Sequence, residues 1–196
     1  MISVGITGGI GSGKTMVSHI LKAMGYPIYN ADLEARLIID TNPEVIEQIK
    51  LLFGNDIYVG EKLDRAKVSS LVFNDNSLLQ SLNSIVHPAV AQHFNIWKKR
   101  HNNVKLTFKE AAIIFESGAY KQVDAVVAVV APQELRINRV CQRDGVTPEQ
   151  VLQRMANQLS DEELVAKSDF VLINDSIRLL LPQVTELISK VLKDNN

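Results

Sequence analysis

Short apolar runs alternate with amphipathic helical patterns along most of the chain. The segment from Ile2 to Thr7 is mostly apolar and is followed by glycines, which is typical of a buried parallel strand. From Thr15 the apolar residues recur at helical spacing until Gly25, which predicts a helix. Similar apolar runs predict further strands at 27–30, 104–108, 112–115, 125–131 and 170–173. Strands that alternate with helices predict a three-layer α/β fold with a parallel sheet between helices.

Residues 41–100 have a different pattern, in which helical segments are broken by turn-forming clusters at 54–56 and 74–76. Little strand signal occurs there, so we expect a helical lobe inserted beside the sheet. No linker rich in Pro, Gly or Ser separates this lobe, which predicts a single domain over 1–196. Thr147 and Ser160 each begin a capping-box pattern that predicts the start of a helix. Pro182 leaves the start of the last helix open.

The residues from Gly8 to Thr15 fit the phosphate-loop pattern G-x-x-x-x-G-K-[ST] in full. Glycines let the backbone curl so that N–H groups form a concave anion site, and the following helix adds its positive N-terminal end. The Lys14 ammonium can reach the β- and γ-phosphates of ATP, while the Thr15 hydroxyl can ligate Mg²⁺. The residues predicted to bind ATP phosphates here are Gly9, Gly11, Ser12, Gly13, Lys14, Thr15 and Met16.

The chemistry around the loop favours a small-molecule kinase over other nucleotide enzymes. A GTPase would show an N/T-K-x-D motif, and the sequence contains none. Asp32 follows the second predicted strand, so it is expected near the γ-phosphate end of the loop, where a base could accept a hydroxyl proton. It could equally cap the following helix. Arg36 lies one helical turn further, where it could orient Asp32 or hold a substrate phosphate.

Arginines at helical spacing predict a lid over the nucleotide at about 133–166. Arg136, Arg139 and Arg143 would lie on one helix face, either as a solvated surface or as a site for polyphosphate. Arg154 and Gln158 repeat the four-residue spacing on the next predicted helix. Such a lid would exclude water from the transfer reaction.

Composition limits the other classes of function. The net charge of −1 gives no general field for nucleic acid or an anionic membrane, so neither is expected as a partner. The single Cys141 fits a reducing compartment, and no signal peptide or membrane helix is predicted, so we expect a cytoplasmic protein. The sequence makes no prediction about oligomeric state.

Several motifs together resemble the dephospho-CoA kinase family. The opening 5–15 is similar to the start of that family, and 30–36 resembles its D-A-D-x-x-A-R motif with Asn30 in place of the first Asp. The stretch 110–116 departs from the family pattern D-x-P-L-L-F-E but keeps Glu116. The remaining matches are at 63–65, 85–88, 139–144, Arg154 with Gln158, and Asn174.

This resemblance implies ATP-dependent phosphorylation of the ribose 3′-hydroxyl of dephospho-CoA. By resemblance, Asp32 is the general base, Arg139 stabilises the transferring phosphoryl group, and the lobe at 41–100 holds the pantetheine side of the substrate. The implied substrate-binding residues are Thr7, Asp32, Arg36, Arg65, His87 and Glu116, and Arg143 and Asn174 join the ATP site. His87 has an open alternative as a structural residue at its His-Pro junction. The rival functions are another P-loop kinase, of a nucleoside monophosphate or small metabolite, or a nucleotide-dependent switch.

Overall fold

The computed structural model describes residues 1–73 and 75–193, so the turn predicted at 74–76 lies partly outside the described residues. The strands of this part of the chain are β1 (Ile2–Thr7), β2 (Ile28–Asn30), β3 (Tyr58–Val59), β4 (Lys62–Leu63), β5 (Leu106–Glu110), β6 (Ala125–Val130) and β7 (Phe170–Ile173). Its α-helices are α1 (Lys14–Ala23), α2 (Ala31–Thr41), α3 (Pro43–Phe53), α4 (Arg65–Phe73), α5 (Asn76–Arg100), α6 (Gln133–Asp144), α7 (Pro148–Met155), α8 (Asp161–Lys167) and α9 (Leu180–Lys193).

The main sheet has the strand order β2-β5-β1-β6-β7, and each neighbouring pair is parallel. This arrangement confirms the predicted parallel α/β sheet. Glu110 at the end of β5 pairs in register with Ile6 on one side and Asn30 on the other. Because parallel strands end at the same edge of a sheet, their last residues are brought together there. Candidate chemistry is therefore concentrated at the carboxyl edge.

The structure divides into two compact units. The first comprises Met1–Asn30 and the described residues from His101 onward, and contains the main sheet. Its core lies between the sheet and helices α1 and α9, where apolar side chains interdigitate and are almost fully buried. They are Val4, Ile6, Val17, Leu21, Leu106, Phe108, Val127, Val129, Leu172, Val184, Leu187, Ile188 and Val191.

The second unit is Ala31–Arg100. It includes α2, because α2 packs against α3 and α5. The sequence instead places the start of the lobe near 41. The unit is mainly helical but also contains the antiparallel hairpin β3–β4, which the sequence did not predict. Gly60 forms the hairpin turn with a φ of 62°, a left-handed conformation that glycine adopts readily.

Local signals predicted most helix starts correctly. The capping boxes at Thr147 and Ser160 are both formed, at the starts of α7 and α8. Pro182 lies in the first turn of α9, where a missing N–H costs no helical hydrogen bond. Within the described residues, none of the helices combines the length and apolar content that crossing a bilayer requires.

The strand predicted at 112–115 is wrong. This segment forms turns after β5, and Ser117 N–H donates to the Ile113 carbonyl at 3.0 Å. Ile114 is nonetheless fully buried, against the position of Gly5 in β1. The apolar run therefore reflects a turn that is buried against β1, and not a strand.

Candidate active site

The phosphate-loop motif connects β1 to α1, as its sequence predicts. Lys14 begins α1, and its Nζ lies 2.6 Å from the Gly8 carbonyl oxygen and 3.3 Å from that of Gly9. Gly13 has a φ of 102°, and a Cβ at this position would lie 2.0 Å from Asn174 Nδ2. Only glycine satisfies both constraints. The ammonium group is therefore held above a tightly folded glycine loop.

Three successive carbonyl groups on the outside of the loop accept hydrogen bonds from side chains. Arg136 Nε donates to the Ile10 oxygen at 2.9 Å, and Arg139 Nη1 donates to the Gly11 oxygen at 3.4 Å. Asn174 Nδ2 donates to the Ser12 oxygen at 2.8 Å. In a trans peptide the C=O and the following N–H point in opposite directions. Holding the Ile10 and Ser12 oxygens outward therefore turns the N–H groups of the next residues toward the concave side.

The three arginines of α6 differ in their acidic partners. Arg136 forms a 2.7 Å ion pair with Asp161, and Arg143 forms one of 2.7 Å with Asp144. Arg139 has no carboxylate partner in the described part of the chain, 1–73 and 75–193, and instead donates to the Asn174 oxygen and the Ser176 hydroxyl. Arg139 is therefore the arginine of this helix whose charge is not neutralised by a carboxylate within residues 1–73 and 75–193.

Arg154 and Gln158 do not share a helix, contrary to the sequence prediction. Helix α7 ends at Met155, so Arg154 lies in its last turn while Gln158 follows the helix. Arg154 Nη1 lies 3.1 Å from Asp144 Oδ2, and Gln158 Oε1 accepts the Ile10 N–H at 2.8 Å. Hydrogen bonds from Arg143, then from Arg154, hold the pKa of the Asp144 carboxyl below its ordinary value. Arg154 thus joins α7 to α6, whereas Gln158 contacts the phosphate loop.

Arg136, which the sequence predicts as a lid residue, lies against the phosphate loop. Its side chain is only 8% exposed and packs on the phosphate loop. Charged side chains are rarely this buried unless they are paired, and Asp161 supplies the partner. The spacing of arginines could not reveal this, because a solvated face and a buried contact have the same sequence pattern.

Glu110 is a site residue that the sequence analysis did not single out. Its Oε1 accepts the Thr15 hydroxyl at 3.1 Å, and its Oε2 accepts Asn30 Nδ2 at 3.3 Å. The residue is 95% buried, with a relative exposure of 5%. The available signal was an acidic residue at the end of a strand, two positions beyond the predicted end of that strand at Phe108.

Other predicted residues of the first unit lie near the loop. Thr7 Oγ1 and Ser12 Oγ are buried and have no hydrogen-bond partner among the described residues, 1–73 and 75–193. Such orphaned groups are uncommon in native proteins and often mark functional positions. The Met16 N–H donates to the Gly13 carbonyl at 3.0 Å. Glu116 Oε1 accepts the Leu159 N–H at 3.3 Å, so it contacts the segment after α7.

In the second unit, Asp32 and Arg36 are exposed residues of α2. Asp32 lies within the first turn rather than before the helix, so the alternative that it is the N-cap is wrong. Arg65 Nη2 pairs with Asp40 at 2.8 Å and also donates to the Arg36 carbonyl at 3.3 Å. Burial alone would raise the pKa of Asp40, but hydrogen bonds from Arg65 and the Leu63 N–H hold it below its ordinary value. Arg65 is therefore fixed in orientation by a carboxylate.

His87 lies within α5, one residue before Pro88, and is half-buried. Burial lowers the pKa of its imidazole below the ordinary value, because the charged form is poorly solvated there. The folded protein therefore binds this proton less readily than the unfolded chain. The associated stability is complete above the unfolded pKa and is lost as pH falls through and below it.

We expect the His87→Gln variant to lose less thermal stability on acidification than the unaltered protein. Glutamine cannot take up a proton, so the unfavourable charge in the half-buried position never forms. The melting temperatures of both proteins should be measured from about pH 8 to about pH 5. Below about pH 6.5, the melting temperature of the unaltered protein should fall more steeply than that of the variant. Parallel curves over this whole range would show that His87 does not contribute to acid sensitivity.

Comparison with known proteins identifies the family. The family model described as dephospho-CoA kinase matches residues 2–178. The chain belongs to the dephospho-CoA kinase family. A dephospho-CoA kinase of Bacteroides fragilis is 40% identical over 188 residues, which cover 96% of this chain and 92% of that protein.

Solved structures agree with this membership. A crystal structure from Thermus thermophilus has a TM-score of 0.81 at 32% identity, covering 100% of this chain and 98% of that one. A dephospho-CoA kinase from Campylobacter jejuni has a TM-score of 0.71 at 27% identity, covering 99% of this chain and 98% of that one. The resemblance inferred from sequence motifs is therefore confirmed, as is the interpretation of the protein as a kinase. As a member of the dephospho-CoA kinase family it is a transferase with a phosphate-loop nucleotide site, for which ATP is the phosphoryl donor.

Proposed function

We propose that this protein transfers the γ-phosphoryl group of ATP to the ribose 3′-hydroxyl of dephospho-CoA, yielding coenzyme A and ADP. This reaction is the last step of coenzyme A biosynthesis. The observation that carries the proposal is the family match over residues 2–178, which includes the complete phosphate loop. The first unit supplies a nucleotide site in which the outer carbonyls of the loop are held by α6 and Asn174.

The proposed mechanism is an in-line transfer in which the protein positions groups and stabilises charge. The 3′-oxygen forms a bond to the γ-phosphorus while the bond to the β,γ-bridging oxygen breaks, and the hydroxyl proton passes to Asp32. Asp32 is proposed as the base because it follows the last residue of β2 by two positions and matches the second acid of the family motif. Lys14 and Arg139 stabilise negative charge on the phosphates. Arg139 is favoured for this role because it has no carboxylate partner in residues 1–73 and 75–193.

We propose that the Thr15 hydroxyl would hold the Mg²⁺ ion of the bound nucleotide, together with phosphate oxygens and waters. Within residues 1–73 and 75–193, no group of three or more His, Cys, Asp or Glu side chains could bind a metal by itself. Mg²⁺ typically binds one or two protein oxygens plus substrate phosphates, and the Thr15 hydroxyl beside the buried Glu110 carboxylate fits that pattern. The ion would neutralise charge on the β- and γ-phosphates.

We expect Glu110→Gln to weaken the Mg²⁺ dependence of nucleotide binding. The amide keeps the shape of the side chain but lacks the negative charge beside Thr15. The ratio of ADP affinities with and without Mg²⁺, measured calorimetrically, should fall by roughly tenfold, because hydrogen bonds to charged groups contribute about 1.5–3 kcal/mol. Affinity for metal-free ADP should stay close to that of the unaltered protein. An unchanged ratio would remove Glu110 from the metal site.

The second unit is proposed to hold the pantetheine side of dephospho-CoA. Helix α2 presents an exposed pair, Leu33 and Leu37, in the row beside Asp32 and Arg36. Residues four apart lie one above the other on a helix, so an apolar row and a polar row run side by side. A ligand with an extended, partly apolar arm and a phosphate group suits such a surface. Arg65 and His87 remain proposed members of this substrate site, alongside Thr7 and Glu116 from the first unit.

The acceptor should be tested by an assay for ADP release with dephospho-CoA, AMP and adenosine as separate substrates. We expect strong stimulation by dephospho-CoA alone, and phosphorus NMR of the product should locate the new phosphate on the 3′-oxygen. Stimulation by AMP but not by dephospho-CoA would overturn the substrate assignment in favour of a nucleoside monophosphate kinase. ATP binding without release of ADP for any acceptor would favour a nucleotide-dependent switch.

We propose that the protein is cytoplasmic and that its partner is a small molecule. The single Cys141 supports the cytoplasm, where thiols stay reduced. A net charge of −1 supports a small-molecule partner rather than nucleic acid or an anionic membrane surface.

A further inference from the structure

The peptide groups on both sides of Ile10, in the phosphate loop, are held by residues outside the loop. The Ile10 N–H donates to Gln158 Oε1 at 2.8 Å, and the Ile10 carbonyl accepts Arg136 Nε at 2.9 Å. A Cβ at the preceding Gly9 would lie 2.0 Å from Arg136 Nη2. The guanidinium therefore lies directly against the loop backbone, in space that a side chain at position 9 would occupy.

Arg136 is itself fixed by a partner. Its Nη1 lies 2.7 Å from Asp161 Oδ1, and the arginine side chain is 8% exposed. A buried charge without a counter-charge would be strongly unfavourable, so Asp161 both orients the guanidinium and neutralises it. A neutralised, buried arginine is poorly suited to stabilise charge on a transferring phosphoryl group. Its hydrogen-bonding geometry makes it better suited to fix the backbone that it contacts.

The segment of residues 158–161, which leads into α8 and ends at its first residue, contacts other parts of the first unit at several points. Gln158 contacts Ile10, and the Leu159 N–H donates to Glu116 Oε1 at 3.3 Å. Ser160 caps α8 in a capping box, and Asp161 binds Arg136. This anchor segment, residues 158–161, therefore differs from the stretch of chain before it, where the ion pairs of Arg143 and Arg154 are both with Asp144.

We propose that Arg136, Gln158 and Asp161 form a clamp, the Ile10 clamp, that fixes the shape of the phosphate loop before nucleotide binds. Holding the Ile10 carbonyl outward turns the Gly11 N–H to the opposite, concave side of the loop. A loop held in this conformation does not lose further backbone entropy when phosphates arrive. These three side chains are positioning residues, and the anchor segment is the fixed end of the lid. The inference rests on the proposed nucleotide binding but not on the identity of the acceptor.

The clamp should be tested by calorimetric titration of ADP, without any acceptor, into Arg136→Met and Gln158→Leu variants. Each substitution keeps much of the side-chain volume and removes the hydrogen bond to Ile10. We expect each to raise the dissociation constant of ADP roughly tenfold, about 1.4 kcal/mol, because a loop that is no longer held must be ordered when the phosphates bind. The rise in the ADP dissociation constant of the double variant should be smaller than the product of the two single fold-changes. The reason is that both contacts hold the same residue, Ile10.

The matched control is Glu186→Gln, which removes one charge of the exposed ion pair between Glu186 and Lys190 on α9. This variant should bind ADP like the unaltered protein. Arg136→Lys retains a donor for the Ile10 carbonyl, so its ADP affinity should lie between that of Arg136→Met and that of the unaltered protein. If Arg136→Met does not fold, the titration of Gln158→Leu decides the question alone.

Steady-state kinetics separate positioning from catalysis. A positioning role predicts a higher KM for ATP with kcat at saturating ATP close to that of the unaltered protein. A collapse of kcat at unchanged KM would overturn the proposal, because it would place Arg136 on the transferring phosphoryl group. Unchanged ADP affinity in both single variants would overturn it as well. A failure of dephospho-CoA to act as acceptor would refute the proposed substrate without altering the ADP titrations.

Discussion

The Lys14→Met variant is expected to lose at least about a hundredfold in kcat/KM for ATP, the cost of removing one preorganised charge from a phosphoryl-transfer site. The Lys14 ammonium lies 2.6 Å from the Gly8 carbonyl, above the concave loop where the β- and γ-phosphates are proposed to bind. Methionine fills a similar volume but carries no charge. Both KM and kcat should worsen, because the ammonium stabilises the bound phosphates as well as the charge that develops during transfer.

A matched control exists on the same helix. Lys22 lies in the last turn of α1 and is exposed, so Lys22→Met removes an identical charge away from the loop. Its kcat/KM should remain close to that of the unaltered protein, because the charge of a cation at a helix C-terminus affects the stability of the helix rather than the phosphate site. If Lys14→Met and Lys22→Met had the same kcat/KM, the phosphate-loop assignment would be wrong.

The sequence predicted those parts of the structure that depend on local or periodic signals. The glycine spacing of the phosphate loop is a local signal, because it reflects the backbone conformation of the loop itself, such as the φ of 102° at Gly13. The capping boxes of α7 and α8 are local for the same reason. The parallel sheet follows from the alternation of strands and helices. These features required no knowledge of distant contacts.

The sequence did not predict the features that depend on tertiary contacts. Gln158 continues the helical spacing of α7 in the sequence, but the helix ends at Met155. Its side-chain oxygen instead accepts a hydrogen bond from the Ile10 N–H, 148 residues away in sequence. Arg136 and Arg143 occupy equivalent positions in a periodic pattern, yet one is buried on Asp161 and the other is 63% exposed beside Asp144. Periodicity indicates which face a residue lies on but not what packs against that face.

Glu110 illustrates a second limit. The strand segment Leu106–Glu110 ends in Lys109 and Glu110, and two adjacent charges suggest an exposed end rather than a buried one. Both are buried because β5 lies between β2 and β1 in the sheet. The Lys109 ammonium donates a hydrogen bond to Gln122 Oε1 at 2.6 Å. The strand order that places Glu110 beside Thr15 cannot be obtained from the local sequence. Its position beside Thr15 becomes visible only in the folded chain.

The Asp32→Asn variant is expected to bind ADP normally but to lose about 10²- to 10⁴-fold in kcat, the usual contribution of a positioned general base. Asparagine has nearly the same shape as aspartate, so α2 and its first turn should be preserved. The amide cannot accept the proton of the 3′-hydroxyl at neutral pH. Turnover with dephospho-CoA should be measured beside calorimetric ADP binding.

Glu34→Gln is the matched control, because Glu34 lies in the same first turn of α2 and carries the same charge. Acidic residues there stabilise a helix through its dipole by about 0.3–1 kcal/mol, so a purely structural role would make the two variants alike in melting temperature and in turnover. A role as base predicts that turnover alone separates them. Near-normal kcat in Asp32→Asn would remove Asp32 from the mechanism and leave the phosphate loop and Arg139 to account for catalysis by charge stabilisation alone.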